Sequence, residues 1–352
     1  MSLVDEAAAT RPGEALDAGV LGEYLARRLP GLALPLTVRQ FPSGYSNLSY
    51  LLAAGDREMV LRRPPSGTRP MSGHDMAREF RVLSALAGAF AESPRPLHFC
   101  ADESVIGAPF YVVERIRGII LRRDYPPELE PVPALVRAQQ EALVDVLARL
   151  HALDWRAPGL AELGRPEGYV ARQVEGWTGR YGRARTADSP DASRVTGWLA
   201  ASQPPASPRA ALIHNDYKLD NVVFDAAEPS RLVGVLDWEM ATIGDPLMDL
   251  GCSLAYWVEA ADPPRLLAAR MLPTHVPGSL TRREVLARYQ AQSGLAATSF
   301  RFYRVFGLFR LAVIVQQIYY RHVHGQTRDA RFAALGPMAH ALIAQAAAEI
   351  AD

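Results

Sequence analysis

Apolar positions fall in short alternating runs through the first third of the chain and recur at helical spacing through most of the remainder. Residues 1 to about 35 read as a helical lead-in. Leu36 to Leu52 carries strand-like pieces around a turn-rich centre, FPSGYSN, and Glu58 to Arg63 is a short β-rich run closed by Pro64-Pro65. Asp75 to Leu86 places Met76, Phe80, Leu83 and Ala87 on one helical face. Phe110 to Ile116, FYVVERI, reads as a buried strand ended by Gly118. These pieces predict a small α+β lobe. Beyond about 117 the pattern turns helical, with one clear helix over Gln139 to Leu153. Thr186 to Arg209 is rich in Ala, Ser, Pro and Asp and reads as a surface connection. Three apolar strand-like pieces follow at Ala211–Ile213, Val222–Phe224 and Leu232–Leu236, and helices fill most of the rest.

Composition adds limits rather than identity. The 352 residues are 49% hydrophobic and 22% charged, enough for two lobes. Formal net charge is zero, so no global field recruits nucleic acid or an anionic membrane, and neither is expected as a partner. Cys100 and Cys252 are too few for a disulfide framework or a cysteine-based zinc site. Two cysteines suit a reducing cytoplasm, the expected location, and with no basic-then-apolar start no signal peptide is expected. The apolar stretch Tyr303 to Tyr320 is interrupted by Arg310 and Gln316-Gln317, which predicts a buried core helix rather than a membrane span. Lys218 is the only lysine among 38 basic residues, so arginine has not replaced it there as it has everywhere else.

The chemistry concentrates in His214-Asn215-Asp216-Tyr217-Lys218-Leu219-Asp220-Asn221, a loop held by apolar strands on both sides. A third strand then ends at Asp237, within LDWEMATIGDP. Two carboxylates and a carboxamide at strand ends are what phosphoryl transfer needs. One carboxylate takes the proton of an attacking hydroxyl; the other, with a hard carbonyl oxygen, holds Mg²⁺ on nucleotide phosphates. Lys218, two residues past Asp216, can neutralise charge on a transferring phosphoryl group. Taken singly, each residue is an ordinary cap, turn or solvated loop residue. The ordered set between strands is what carries the reading.

The spacing H-x-D, then N four residues past the Asp, then a downstream Asp, matches the protein-kinase catalytic loop. The run HNDYKLDN…VLDWEMATIGDP resembles the aminoglycoside phosphotransferase and choline-kinase superfamily. It is most similar to the phosphotransferase domain fused to some acyl-CoA dehydrogenases, a similarity that VLRRPPSG, REFRVLSAL and GAPFYVVERIRG extend over residues 40 to 260. The resemblance implies an α+β, bilobal protein-kinase-like fold. Its small β-rich N-lobe with one helix, residues 1–116, would cover the nucleotide. The larger, mainly helical C-lobe, residues 117–352, would carry catalysis and the acceptor. It implies ATP or GTP and Mg²⁺ as cofactors, Asp216 as base, Asn221 and Asp237 as metal ligands, His214 as loop support and Asp249 as a brace for loop amides. Ser43, Gly44, Ser46 and Asn47 match the phosphate-covering turn, and Glu114 and Ile116 the adenine-binding hinge. The family usually pairs a strand lysine with a helix glutamate; here Arg62 takes that place opposite Glu79, and strand alternation sends Arg63 to the other face.

The acceptor is expected to be the hydroxyl of a small molecule. From Gly251 to Asp352 there are 11 arginines against six acids, the wrong sign for polycationic aminoglycosides. A neutral or anionic acceptor fits better, a hydroxyacyl-CoA being one candidate. Two competing readings rest on other features: a nucleotide-binding pseudokinase or regulatory module, on the missing small-lobe lysine, and a metal-dependent hydrolase using His214, Asp216 and Asp237. Trp177, Tyr181, Tyr256, Trp257, Tyr319 and Tyr320 are aromatic candidates for an acceptor lining, a composition equally typical of core.

Overall fold

The structure is a computed structural model of the chain and describes residues 3–42, 47–65, 75–205, 209–295, 299–327 and 330–351. The chain packs as two units. The first comprises Met1–Ile120, Ala157–Leu160 and Asn221–Ala241; the second comprises Leu121–Arg156, Ala161–Asp220 and Thr242–Asp352.

The first unit is built on a five-stranded antiparallel sheet of order β1-β2-β3-β5-β4, with β1 Thr37–Gln40, β2 Leu48–Ala54, β3 Arg57–Arg63, β4 Pro96–Cys100 and β5 Phe110–Glu114. Alternation sorts its faces. Leu48, Tyr50, Leu52, Met59, Leu61, Phe110 and Val112 join one buried cluster with Leu21 and Leu25 of helix α1, Ala18–Ala26. Arg63 shares that face, buried, and donates to the Ile106 carbonyl at 2.9 Å. The other face carries Arg62 opposite Tyr111, and helix α2, Met76–Leu86, lies over it with Phe80 against Phe99 and Tyr111. Asp75 caps α2 by accepting from the Arg78 amide.

Two sequence expectations change here. The lead-in is not continuously helical. Asp17 caps α1, and the segment before it, broken by Pro12-Gly13, is extended enough for Ala8 to bridge Gln40. β4 was not separable from its surroundings by alternation, because Pro96 and His98 interrupt its register.

The second unit is mostly helical. Helices α3 Pro133–His151, α4 Tyr169–Arg183 and α5 Ser193–Ala201 lie in its first half. α5 falls within the stretch expected to be a surface connection. Its Val195 and Leu199, four residues apart, are buried, a stripe too narrow to register among alanines and serines. The ribbon of β6 Ala211–Ile213 and β9 Thr242–Gly244 holds the start of the loop His214–Asn221. The 3-residue β7 Val222–Phe224 pairs with β8 Leu232–Val235 in the first unit. Helices α6 Pro246–Ala255, α7 Pro264–Ala269, α8 Arg282–Ser293, α9 Arg301–Val323 and α10 Leu335–Ala351 complete the second unit.

α9 is the expected buried helix, with 23 residues and an inner face running from Phe302 to Gln316. It crosses α6 at Gly251 and Gly307. A Cβ on Gly307 would lie 2.1 Å from the Gly251 carbonyl oxygen, so only glycine allows this approach. Among the described residues no helix is long and apolar enough to cross a membrane.

Candidate active site

In the second unit the loop after β6 is fixed through its backbone. Asp249, in the first turn of α6, accepts from the His214 amide at 2.7 Å and the Asn215 amide at 2.8 Å. The same carboxylate receives His151 Nε2 at 3.1 Å, and His151 Nδ1 meets the Tyr289 hydroxyl at 2.7 Å. Burial alone would raise the Asp249 pKa; the hydrogen bond and charge of His151 and the His214 contacts outweigh it, holding Asp249 below the ordinary carboxylate range. Asn215 adopts left-handed backbone, φ 65°, and its side chain accepts from the Tyr169 hydroxyl at 3.1 Å. The Asp216 amide reaches His214 Nδ1 at 3.2 Å, and the buried Tyr217 hydroxyl donates to the Leu143 carbonyl at 2.8 Å. With His214 and Tyr217 anchored inward, Asp216 and Lys218 remain partly accessible, at 20% and 11% of their side-chain surface.

Around Asp216 the charges are close. Lys218 Nζ donates to Asp216 Oδ2 at 2.7 Å and lies 3.2 Å from Asp220 Oδ1; the Tyr256 hydroxyl donates to Asp216 Oδ1 at 3.3 Å. Lys218 also lies 5.5 Å from the Tyr256 ring centroid. Burial works against the Lys218 charge, but Asp216 and Asp220 outweigh it, so the ammonium is held above its ordinary range and stays protonated. Burial raises the Tyr256 phenol, and Asp216 raises it further, so it remains a neutral donor.

In the first unit, the β7–β8 ribbon pairs Val222 with Val235, and the Leu236 amide donates to the Asn221 carbonyl at 2.8 Å. Asn221 and Asp237 thus belong to the same end of one ribbon. Asp237 takes left-handed backbone, φ 67°, and the chain turns into the 3-10 segment Trp238–Met240. Trp238 is 1% exposed; its amide donates to Glu79 Oε1 at 3.1 Å and its indole to the Val235 carbonyl at 2.9 Å.

Arg62 bridges the acids of this unit. Its Nη1 donates to Glu79 Oε1 at 3.0 Å and its Nη2 to Asp237 Oδ1 at 2.9 Å, with Glu239 Oε2 at 3.7 Å. Burial opposes the guanidinium charge, but Glu79 first, then Tyr111, Asp237 and Glu239 push its pKa well above the usual value. Burial pushes Glu79 up, with Arg62 pulling against it. Among the described residues Arg62 Nε is buried without a hydrogen-bond partner. Asn47 is buried and donates to Glu239 Oε2 at 2.6 Å, while Arg78 holds the Glu239 carbonyl at 3.1 Å and the Ala241 carbonyl. Ser43, Gly44 and Ser46 lie outside the described residues. Glu114 pairs with exposed Arg95, and its amide donates to the Arg95 carbonyl at 2.9 Å; Ile116 packs its methyls over Gly234.

Sequence reasoning missed Glu239 and Arg78, and Asp220 at the side of Lys218. Glu239 could have been flagged as a second acid two residues past Asp237. Tyr256 was one of several aromatics with nothing to single it out.

The donor set at the ribbon end, one carboxylate and one carboxamide, suits a hard cation. Mg²⁺ commonly takes one or two protein carboxylates and completes its shell from phosphates and water.

The sequence pattern described as "Phosphotransferase enzyme family" matches residues 37–298. The chain belongs to this phosphotransferase enzyme family. Within it, mouse acyl-CoA dehydrogenase family member 10 is 38% identical over 298 residues, covering 84% of this chain but only 27% of that protein. A crystal structure of a candidate aminoglycoside phosphotransferase from Ralstonia eutropha JMP134 is 32% identical, with TM-score 0.78, covering 94% of this chain and 98% of that one. Choline kinase from Cryptosporidium parvum Iowa II shares the fold at 12% identity, TM-score 0.61, over 95% and 98% of the two chains. The kinase-like fold of this phosphotransferase is thereby shown, with its five-stranded antiparallel sheet and largely helical remainder.

Proposed function

We propose that the protein transfers the γ-phosphate of ATP to the hydroxyl of a neutral or anionic small molecule. The observation that carries this reading is the Asp216–Lys218 pair on a loop whose amides Asp249 clamps. A loop held by its backbone presents a carboxylate with little reorganisation, which is what proton abstraction from a hydroxyl requires. The hydroxyl oxygen bonds to the γ-phosphorus as the bond to the β,γ-bridging oxygen breaks. The proton goes to Asp216, and the leaving electrons stay on ADP. Lys218 neutralises charge on the phosphoryl oxygens. Asn221 and Asp237 would hold Mg²⁺, which supplies charge neutralisation on the nucleotide phosphates. Arg62 then has its fork available to phosphate oxygens once Asp237 is drawn to the cation. Asp220 and Asn221 are consecutive, so the loop and the ribbon are joined by one peptide bond.

The arginine-rich C-terminal sequence and the likeness to proteins named as acyl-CoA dehydrogenase family members support a hydroxyacyl-CoA among the acceptors to be tried. The balanced net charge supports a small-molecule partner over nucleic acid or membrane, and the two cysteines fit a reducing cytoplasm. One observation favours a second reading: Arg62 stands where the resemblance leads one to expect lysine, and it engages Asp237 directly. A pseudokinase would bind nucleotide with no turnover.

A nucleotide-consumption assay over a panel that includes kanamycin-type aminoglycosides, neutral alcohols and hydroxyacyl-CoAs separates these readings. The expected result is turnover on neutral or anionic acceptors, lost by several orders of magnitude in Asp216→Asn. Turnover confined to aminoglycosides would overturn the acceptor class, and nucleotide binding with no turnover would support the pseudokinase.

A further inference from the structure

Trp177 of α4 is buried, and its indole nitrogen donates to Gln173 Oε1 at 3.1 Å, which fixes the ring. Two guanidinium groups lie against that ring: Arg180 at 4.7 Å from the centroid and Arg310 of α9 at 5.0 Å. Arg310 is 3% exposed, and Asp216 is among the charges that keep it ionised. The ring therefore carries a buried cation within the field of the proposed base, and a second, half-buried cation beside it.

Arg180 is the unusual member. Among the described residues no carboxylate pairs with it. Burial first, and then Arg183 and Arg310, two further cations, lower its pKa. A guanidinium that loses water, faces like charge and has no counter-ion is unfavourably placed for stability. An exposed arginine with nothing to bind would turn into solvent. Here the aromatic face holds it in one orientation, and among the described residues no protein acceptor meets its donor edge. Such an edge binds carboxylate or phosphate oxygens through two parallel hydrogen bonds.

We propose that Arg180, stacked on Trp177 and backed by Arg310, receives an oxyanion of the acceptor, a carboxylate or a phosphate, while the acceptor's hydroxyl goes to Asp216. This rests on the reading of Asp216 as the base and narrows the acceptor to an anion. Arg180 acts as a specificity residue, and Arg310 and Trp177 as positioning residues.

The test is equilibrium binding to the full chain without nucleotide. The probes are 3-hydroxybutyrate for a carboxylate, coenzyme A for phosphates, and 3-hydroxybutyramide as the neutral isostere. At least one anionic probe is expected to bind more tightly than the amide, and which one identifies the oxyanion. Arg180→Gln should weaken that anion by about tenfold to a hundredfold, leaving the weak affinity for the amide and the thermal midpoint unchanged. Arg180→Lys should recover part of the loss. The proposal is overturned if neither anion binds, if the amide binds as well as the anions, or if Arg180→Gln leaves anion binding intact. Asp216→Asn separates the two claims. Anion binding that survives this change, in a protein with no turnover on any acceptor even as wild type, would sink the phosphotransfer reading and leave the anion site standing. Turnover with no Arg180-dependent binding would do the reverse.

Discussion

Lys218 and Arg62 are both half-buried cations surrounded by acids, yet they are held by different means. Lys218 is set by its backbone: Asp249 grips two consecutive amides of the loop, and Asp216 and Asp220 then meet the ammonium from within the same eight residues. Arg62 projects from the paired strand β3, and its guanidinium is placed by side-chain contacts, its fork joining Glu79, 17 residues away, to Asp237, 175 residues away. Backbone clamping gives a geometry that changes little when a ligand arrives. A side-chain fork can be shared, because a cation or a phosphate at Asp237 alters one arm and leaves the other on Glu79. The rigid element therefore suits the proposed base and the adjustable one the proposed phosphate contacts.

The comparison breaks first at Asp249. Asp249→Asn leaves the amides of His214 and Asn215 one acceptor short and removes a charged partner from His151. A loss of about 3 kcal/mol in folding stability is expected, read by denaturant unfolding. The sign with pH follows from the lowered carboxyl. An acid whose folded pKa is depressed adds stability that is full above its ordinary value of 3.8 and is lost as pH falls further. The wild type should therefore lose stability below pH 3.8 more steeply than Asp249→Asn. Equal acid slopes in the two proteins would mean that the clamp is not ionic.

A smaller effect is expected at the fork. Arg62→Lys keeps the charge but offers one ammonium nitrogen in place of two separate fork nitrogens, so one of the two contacts is lost at about 1 kcal/mol. Turnover should stay within about tenfold of wild type, a change of up to 1.4 kcal/mol in the barrier. Complete inactivation would show that the second arm is indispensable, and the side chain then is not the adjustable element described above.

The smallest effect sharpens the rigid side. Cys252 lies three residues past Asp249 on α6, 2% exposed, and burial pushes its thiol up to about 11, with Arg310 opposing. It should resist iodoacetamide in the native protein at pH 8 and react on unfolding. Labelling at the rate of a free thiol would mean that α6 opens and the clamp with it.

These regions also differ in how far the sequence revealed them. The loop was legible because its candidate residues lie within eight consecutive positions bounded by apolar strands, and even Asp249 followed from the resemblance. The Arg62–Glu79 pair was legible through the resemblance, with strand alternation setting Arg63 apart on the other face. The Arg62–Asp237 contact and the Asn47–Glu239 bond were not, since they join residues 175 and 192 positions apart. No local pattern encodes such contacts. The same holds for Trp177, which looks like any core aromatic until α9 brings Arg310 to its ring. α5 escaped for the opposite reason: its two buried residues are a local signal, but too small beside the alanines around them.

The division of labour is tested most directly by measuring nucleotide affinity and turnover separately in Asp216→Asn and Asp237→Asn. Asp216→Asn should keep Mg²⁺-dependent nucleotide affinity within a few-fold of wild type and lose turnover by several orders of magnitude, whereas Asp237→Asn should lose the Mg²⁺-dependent affinity itself. Turnover retained in Asp216→Asn would contradict the assignment of the base, and with it the account of why the loop is clamped.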